Sequence, residues 1–264
     1  MTSIAQIQFE IQKENPEIAV FCFDELESTN HYLKQYADMH LKQAFCLTLS
    51  QTSGYGQQSR EWQSDFSSIT FSTLLHLKVP LHEVDGFTQL ITLKLIESLT
   101  DLLDGSFKIK WPNDLYMDGK KAGGVLIECV SFTDLDCWLV VGIGLNNGLK
   151  SNILDSLTGS SSLPGSVNLP EEDKLTFLLN VLNKQLVLAE QFKPGWFKQY
   201  LVNYSLVDYF KVEDPVIVYD NAIKQPGFYK GLTDNGELLV ELDGKLCTFR
   251  SGSTSIRPTV RTDD

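Results

Sequence analysis

The sequence predicts an α/β (α+β) protein, with a mixed-sheet domain over residues 1–208 and a smaller all-β domain over residues 209–264. In the first part, segments rich in β-branched and aromatic residues alternate with long segments whose apolar residues recur every three or four positions, as in helices. After about Val212, short strand-like segments follow one another, separated by turn residues. With 264 residues, 42% of them hydrophobic, the chain is long enough for one large and one small domain.

The first hundred or so residues supply much of the predicted sheet and three of the predicted helices. Ser28-Thr29-Asn30 precede apolar residues at helical spacing, which is typical of a capped helix start. The polar, glycine-bearing stretch after Gln51 fits neither a strand nor a helix. The predicted elements are, in order, a helix at residues 3–14, a strand at 18–26, a helix from 28, a strand at 44–50, a loop at 51–60, a strand at 68–77 and a helix at 83–103.

The rest of the chain continues this pattern and then changes to short strands. Asp234-Asn235-Gly236 and Asp243-Gly244 are typical hairpin turns. About 50 residues of such strands predict a small β-barrel. Its stability would be marginal unless it packs on the larger domain. The predicted elements are strands at residues 108–111, 124–132 and 137–145, a loose connection at 148–169, helices at 171–192 and 196–204, and strands at 216–219, 227–232, 237–242 and 245–249.

Composition excludes several classes of function. The net charge of −12 disfavours nucleic acid as a partner, because phosphate-backbone binding requires an excess of Lys and Arg. The apolar runs are too short to span a membrane, and the N-terminus does not look like a secretion signal. Five widely spaced cysteines indicate free thiols in a reducing, cytoplasmic setting, and without CxxC or paired histidines we expect no structural zinc site and assign no metal ligands.

The most specific segment is KWPNDLYMDGKKAGGVLIE, residues 110–128. It combines a strand, a tight turn at 112–114, a hairpin at Gly119, two lysines and two glycines that lead into a buried strand. The glycines allow a ligand to lie against bare backbone, and a lysine beside it can neutralise a carboxylate or phosphate. On the residues alone, an ordinary solvated hairpin with exposed lysines explains the pattern equally well.

This segment resembles the signature of biotin-protein ligases. Three further blocks agree with that family in order and spacing, at residues 27–30, 51–62 and 141–146, and residues 250–257 resemble the close of its C-terminal SH3-like barrel. The resemblance implies a class II synthetase-like mixed-sheet catalytic domain followed by an SH3-like barrel. Fewer than about 20 residues precede the first ligase strand, which is too few for a helix-turn-helix DNA-binding domain, so we expect the short form of the family.

The resemblance also implies an activity. Members join biotin and ATP, with Mg²⁺, into biotinyl-5′-AMP and transfer the biotin to a lysine of a biotin carboxyl carrier protein domain. We therefore expect an ATP-dependent, cytoplasmic biotin-protein ligase, with homodimerisation through the edge of the main sheet as one option. A lipoate-protein ligase of the same two-step logic is the first alternative. The second is a non-catalytic biotin sensor or transcriptional repressor, and a catalytically weakened biotin-binding paralogue also stays open.

Roles follow at the positions that match the family. Lys121 contacts the biotin carboxylate and the α-phosphate, Asp114 orients or deprotonates the incoming amine, and Lys110 is a weaker candidate. Trp62 stacks on the adenine, although a purely structural core role is the alternative. The other implied biotin contacts are Ser28, Thr29, Asn30, Gln51, Gly54, Gly123 and Gly124, and the other implied nucleotide contacts are Arg60, Asn113, Asn146 and Gln57. Helix capping alone is the alternative for residues 28–30.

The glycine-bearing loop departs from the family pattern. The family reads G-R-G-R-x-G-R-x-W, whereas residues 54–62 here read GYGQQSREW, which keeps only Arg60 of the three arginines. Gln57 supplies neither the charge nor the bidentate fork of an arginine, and Ser59 in place of glycine restricts the backbone. We therefore expect the chain to retain biotinyl-5′-AMP less well than relatives with the arginine.

Overall fold

The computed structural model describes residues 3–64, 67–148, 164–220 and 223–259, with the side chain of Ser59 excepted. Its larger part is a seven-stranded mixed sheet of order β1-β2-β3-β7-β6-β5-β4. β1 and β2 are parallel, and the other neighbours are antiparallel. The strands are β1 (Ala19–Leu26), β2 (Ala44–Gln51), β3 (Ile69–Leu77), β4 (Phe107–Lys110), β5 (Asp114–Met117), β6 (Lys120–Phe132) and β7 (Cys137–Leu145).

Helices cover both faces of this sheet. They are α1 (Ile4–Glu14), α2 (Thr29–Met39), α3 (Phe87–Thr100), α4 (Lys174–Gln191) and α5 (Leu201–Val207). Successive residues of β2 point to opposite faces, so Phe45 joins the large core with α3 and α4, while Cys46 packs in a second core with Leu33 of α2. This three-layer arrangement confirms the predicted mixed α/β class.

The long helices are shorter than their apolar spacing predicts. α3 begins at Phe87, because Gly86 takes a left-handed conformation with φ of +82° and residues 81–83 form a separate 3₁₀ turn. α4 likewise follows a 3₁₀ turn at Glu171–Asp173, and α5 follows another at Trp196–Tyr200. β6 starts at Lys120 rather than residue 124, so the two motif lysines lie in a strand. Most of the predicted 148–169 connection lies outside the described residues.

The C-terminal part is a five-stranded antiparallel sheet of order β11-β10-β9-β8-β12. Its strands are β8 (Pro215–Asp220), β9 (Ile223–Leu232), β10 (Leu238–Leu242), β11 (Lys245–Phe249) and β12 (Thr254–Pro258), of which β12 is absent from the predicted strands. Asp243 and Gly244 have φ of 49° and 73°, as the predicted hairpin turn requires. The pairings of the described strands run from β11 to β12, and closure into a barrel remains a prediction.

Trp111 joins the two sheets. It is 2% exposed and packs with Phe210, Val218 and Tyr229 in the core of the C-terminal sheet. Its indole Nε1 donates to the Gly236 carbonyl oxygen at 3.0 Å. We propose that residues 1–208 and 209–264 are two domains, which the separate sheets support. No helix of the described residues is long and apolar enough to cross a membrane.

Candidate functional site

A cavity of about 430 Å³ opens beside β6 and β7, and the loop after β2 and residues 255–257 of β12 complete its wall. The C-terminal sheet therefore takes part in the site. Gly54 and Gly123 are predicted site residues outside this wall. The predicted residues that line it are Ser28, Thr29, Asn30, Gln51, Gln57, Arg60, Trp62, Asn113, Asp114, Lys121, Gly124 and Asn146.

The start of α2 forms a polar part of the wall. Ser28 caps the helix, because its hydroxyl accepts the His31 amide hydrogen at 3.3 Å. The Thr29 amide donates to Gln51 Oε1 at 2.8 Å, which joins the helix start to the end of β2. The capping interpretation of this segment is therefore confirmed, and the same residues also face the cavity.

Asn30 is held in one orientation by contacts that the sequence reasoning missed. Its Nδ2 donates to Glu128 Oε2 at 2.8 Å, and its Oδ1 accepts from Ser72 Oγ at 2.6 Å. The amide also approaches β7 at Gly142, where a Cβ would overlap it. A glycine inside an apolar strand is the sequence signal that could have indicated this close approach.

Trp62 packs against a second glycine of β7, Gly144. A Cβ on Gly144 would lie 2.6 Å from the Trp62 ring, so only glycine leaves room for the indole. The indole Nε1 is buried and has no hydrogen-bond partner among the described residues. Trp62 thus packs against the sheet and also lines the cavity, where its N–H can serve a ligand.

Lys121 reaches the cavity because of a β-bulge between β5 and β6. Asp114 pairs with Gly124 whereas Tyr116 pairs with Lys121, so β6 holds one extra residue at Ala122. Regular alternation would place Lys121 and Gly124 on opposite faces, and the extra residue places them on the same face. Lys121 Nζ lies 2.6 Å from Asp114 Oδ1. The two predicted catalytic residues are therefore an ion pair in the cavity wall.

The three predicted site glycines differ in what surrounds them. A Cβ on Gly123 would lie 2.6 Å from the Leu145 side chain, so the close approach of β7, rather than of a ligand, accounts for this glycine. A Cβ on Gly54 would lie 2.6 Å from the Trp62 carbonyl oxygen, at the base of the loop. Gly124 lines the cavity, and its Cβ would meet protein atoms only at 3.6 Å and beyond. Of the three, only Gly124 leaves bare backbone open for a ligand, as the sequence predicts.

Basic side chains concentrate at this cavity although the whole chain carries a net charge of −12. Lys110, Lys121, Arg60 and Arg257 all line it. Burial lowers the pKa of Lys110; Asp114 opposes this effect, while the three other cations add to it. Arg257 comes from β12 and was not among the predicted site residues. Local positive charge in an acidic protein favours a phosphate-bearing ligand.

The two predicted asparagines hold parts of the wall in place. Asn113 Nδ2 donates to the Val125 carbonyl oxygen, and Asn146 Nδ2 donates to the Gly165 carbonyl oxygen at 2.9 Å. These bonds join the motif turn to β6, and β7 to the segment that follows it. Contact of these residues with a nucleotide remains a prediction.

The loop at residues 54–62 folds back on itself beside the cavity. Within it, Gln58 rather than Ser59 takes the left-handed conformation, with φ of 56°. Gln58 Nε2 donates to the Gly252 carbonyl oxygen at 3.2 Å, and Arg60 Nη2 donates to Gln58 Oε1 at 3.0 Å. The exposed Arg60 thereby supports the contact of the loop with the C-terminal sheet. Among the described residues, no cluster of three or more His, Cys, Asp or Glu side chains is placed to hold a metal ion.

Residues 21–146 match the Biotin/lipoate A/B protein ligase family. The chain is 27% identical to the bifunctional ligase/repressor BirA of Escherichia coli, over 88% of this chain and 72% of that protein. It is 29% identical to biotin–protein ligase 1, chloroplastic, of Arabidopsis thaliana, over 74% of this chain and 54% of that protein.

Solved structures show the same fold. The biotin protein ligase of Aquifex aeolicus in complex with biotin and ATP superposes with a TM-score of 0.68 at 23% identity, over 91% of this chain and 99% of that one. The biotin protein ligase of Leishmania major in complex with biotin superposes with a TM-score of 0.58 at 20% identity, over 89% of this chain and 99% of that one. At such identities the likeness to the solved structures concerns the fold alone, and the similarity to the ligase family comes from the sequence match of residues 21–146. The match to the biotin/lipoate A/B protein ligase family thus covers the part of the chain that includes α2, the loop and the motif of the cavity.

Proposed function

We propose that the chain is an ATP-dependent biotin-protein ligase, which forms biotinyl-5′-AMP from biotin and ATP and then transfers biotin to a lysine of a biotin carboxyl carrier domain. The observation that carries the proposal is the Lys121–Asp114 ion pair of 2.6 Å, set in one cavity with the polar start of α2 and the Trp62 indole. Such a cavity combines a cation for the reacting carboxylate with hydrogen-bonding and aromatic walls.

In the first step, a biotin carboxylate oxygen attacks the α-phosphorus of ATP, and pyrophosphate leaves with its electron pair. Negative charge builds on the phosphoryl oxygens, where a fixed ammonium such as that of Lys121 stabilises the transition state. Lys110, Arg60 and Arg257 surround the cavity and suit the remaining phosphates. The Asp114 carboxylate would be an oxygen ligand for the magnesium of an ATP complex, and that cation would neutralise charge on the phosphates.

In the second step, the ε-amine of the carrier lysine attacks the acyl carbon of the adenylate, and AMP leaves. The amine must lose a proton, and Asp114 is placed to orient it or to accept that proton. Because Asp114 is paired with Lys121, departure of Lys121 towards the phosphate frees the carboxylate for the second substrate. The acceptor-lysine site and the cytoplasmic location belong to this proposal.

Two other functions are outcomes of the same test. A lipoate-protein ligase would use the same two chemical steps, and a catalytically weakened biotin-binding paralogue would follow if Gln57 costs the chain its intermediate. A pocket built to hydrogen-bond a ureido ring should reject the dithiolane of lipoate, because its polar groups would stay unpaired.

The test is pyrophosphate release from ATP, measured with biotin or lipoate, with and without a biotin carboxyl carrier domain. A biotin-protein ligase releases pyrophosphate with biotin and labels the carrier lysine. Release with lipoate alone would assign the chain to the lipoate enzymes. Biotin binding without pyrophosphate release would identify the non-catalytic paralogue.

A further inference from the structure

The loop at residues 54–62 is closed at its base by its own backbone. The Trp62 amide donates to the Gly54 carbonyl oxygen at 2.9 Å, and the Gly56 amide donates to the Arg60 carbonyl oxygen at 2.8 Å. Tyr55 lies on one side of this lobe and its phenol reaches away from it. A loop closed at its base by its own backbone bonds moves as a unit. A single side-chain contact can therefore fix the position of the whole loop over the cavity.

The Tyr55 phenol meets a carboxylate on the central strand β6. Its hydroxyl donates to Glu128 Oε2 at 2.8 Å. Through Glu128, the bond joins the loop to Asn30 at the start of α2, which lines the cavity. In contrast, the contact of the loop with the C-terminal sheet runs through the exposed side chain of Gln58.

Glu128 is well suited to hold that bond. Besides the phenol, it accepts from Asn30 Nδ2 at 2.8 Å and from Lys34 Nζ at 2.9 Å, and its side chain is 23% exposed. Burial alone would raise the pKa of Glu128, but these three hydrogen bonds outweigh it and the pKa lies below the ordinary value. An ionised carboxylate makes stronger hydrogen bonds than a neutral group.

The same carboxylate orients a cavity residue. Asn30 uses Nδ2 on Glu128 and Oδ1 on Ser72, and its amide lies where Gly142 has no side chain. A shift of Glu128 therefore acts on the loop and on Asn30 together.

We infer that Tyr55 and Glu128 are positioning residues, whose hydrogen bond holds the 54–62 loop over the cavity and thereby slows the release of the acyl-adenylate. The inference rests on the proposed function for its ligand, but not for the loop contact itself. Tyr55 acts through the loop backbone, and Glu128 acts through both Asn30 and the loop.

The first experiment needs no activity. Hydrogen exchange of the peptide spanning residues 52–64 reports the Gly56 and Trp62 amides, which are bonded within the lobe. Tyr55→Phe keeps the ring and removes the hydroxyl, so exchange of this peptide should rise severalfold with no change in the peptides of β3. Tyr36→Phe, on α2 and outside this network, should leave it unchanged. Wild-type exchange in Tyr55→Phe would overturn the inference.

The second experiment measures adenylate release from Tyr55→Phe, Glu128→Gln and the double variant. Loss of a hydrogen bond to a charged group predicts release about tenfold faster in Tyr55→Phe. The double variant should release no faster than Glu128→Gln, because both changes break one contact. The rate of adenylate formation in Tyr55→Phe should stay near wild type, and additive effects or a matching loss of that rate would overturn the inference. A wild-type chain that forms no adenylate refutes the proposed function, and the exchange experiment still decides on the loop contact.

Discussion

Lys121 Nζ lies 2.6 Å from Asp114 Oδ1, and this ion pair exists only because one extra residue in β6 turns Lys121 towards the cavity. The pair is partly buried, with 32% and 25% of the side chains exposed. Each member of the pair compensates the charge of the other. A substrate carboxylate or phosphate therefore competes with Asp114 for Lys121, and binding exchanges one ion pair for another.

Lys121→Ala should abolish adenylate formation with much less effect on biotin binding. The ammonium acts where charge develops, so its loss should cost about 3 kcal/mol or more in the chemical step. The measurement is pyrophosphate release beside the biotin dissociation constant.

The neighbouring Lys120 is exposed and provides the matched control. Lys120→Ala should keep pyrophosphate release near wild type. Near-normal release by Lys121→Ala would show that the role given to Lys121 is wrong.

Gln57→Arg should retain biotinyl-5′-AMP longer than the wild-type chain. An arginine–phosphate contact in a partly closed site contributes about 1.5 to 3 kcal/mol, or roughly ten- to hundredfold in residence time. The wild-type chain should correspondingly label bystander lysines in proportion to their concentration, and the variant should suppress that labelling while it spares adenylation.

Equal adenylate dissociation rates for wild type and Gln57→Arg would contradict this prediction. The cavity already holds Arg257 from β12, a cation that could supply the missing charge. Arg257→Gln in both backgrounds separates the two explanations, since compensation predicts a larger effect of this change when residue 57 is glutamine.

The element types were predictable because apolar spacing is a local property. β1, β2, β3 and β7 lie within two residues of their predicted bounds. The start of α3 could not be predicted from the apolar spacing. That spacing continues through residues 83–86, but Gly86 and the preceding 3₁₀ turn delay the helix to Phe87. Whether a strand such as β12 forms depends on its pairing with β8, which no local pattern expresses.

All but two of the predicted site residues line one cavity, whereas the contacts that support them could not be predicted from the sequence. The resemblance placed Asn30 and Lys121 at the cavity, yet Glu128 and the bulge at Ala122 are consequences of strand pairing. The bulge matters most, because alternation along β6 alone places Lys121 on the face away from Gly124. Arg257 was missed because it reaches the cavity from a different sheet.

The cavity glycines provide a pair of opposite substitutions. Gly124→Ala adds a methyl group that meets protein atoms only at 3.6 Å and beyond, so its thermal unfolding midpoint should stay within about 2 °C of wild type. The methyl group projects into the cavity wall, and biotin binding should weaken. Gly144→Ala places a methyl group 2.6 Å from the Trp62 ring and should cost about 1–3 kcal/mol of unfolding free energy.

Thermal unfolding and biotin titration of both variants check the pair. Gly124→Ala that binds biotin as tightly as wild type would show that no ligand lies against this glycine. Gly144→Ala with wild-type stability would show that Trp62 moves freely away from β7.

Asp208 gives the chain a stability that depends on pH. It lies between α5 and the C-terminal sheet, where its Oδ2 accepts from the Tyr229 hydroxyl. Burial raises the pKa of Asp208 from 3.8 to about 6, against the opposing effect of the Tyr229 bond. Because the folded pKa lies above the unfolded one, the folded state binds the proton more tightly. The free energy of unfolding therefore falls as pH rises from about 4 to about 6, by up to about 3 kcal/mol.

Asp208→Asn removes this titration and keeps an oxygen that accepts from Tyr229. We expect the variant to be more stable than wild type at pH 7 by about 1–3 kcal/mol, and equally stable near pH 4. Chemical denaturation from pH 4 to 7.5 measures the difference in unfolding free energy between the variant and wild type. The contributions of the other carboxylates cancel in this difference. Asp104→Asn, at an exposed position, is the control. A stability difference that is the same at pH 4 and pH 7 would mean that Asp208 is not the titrating group.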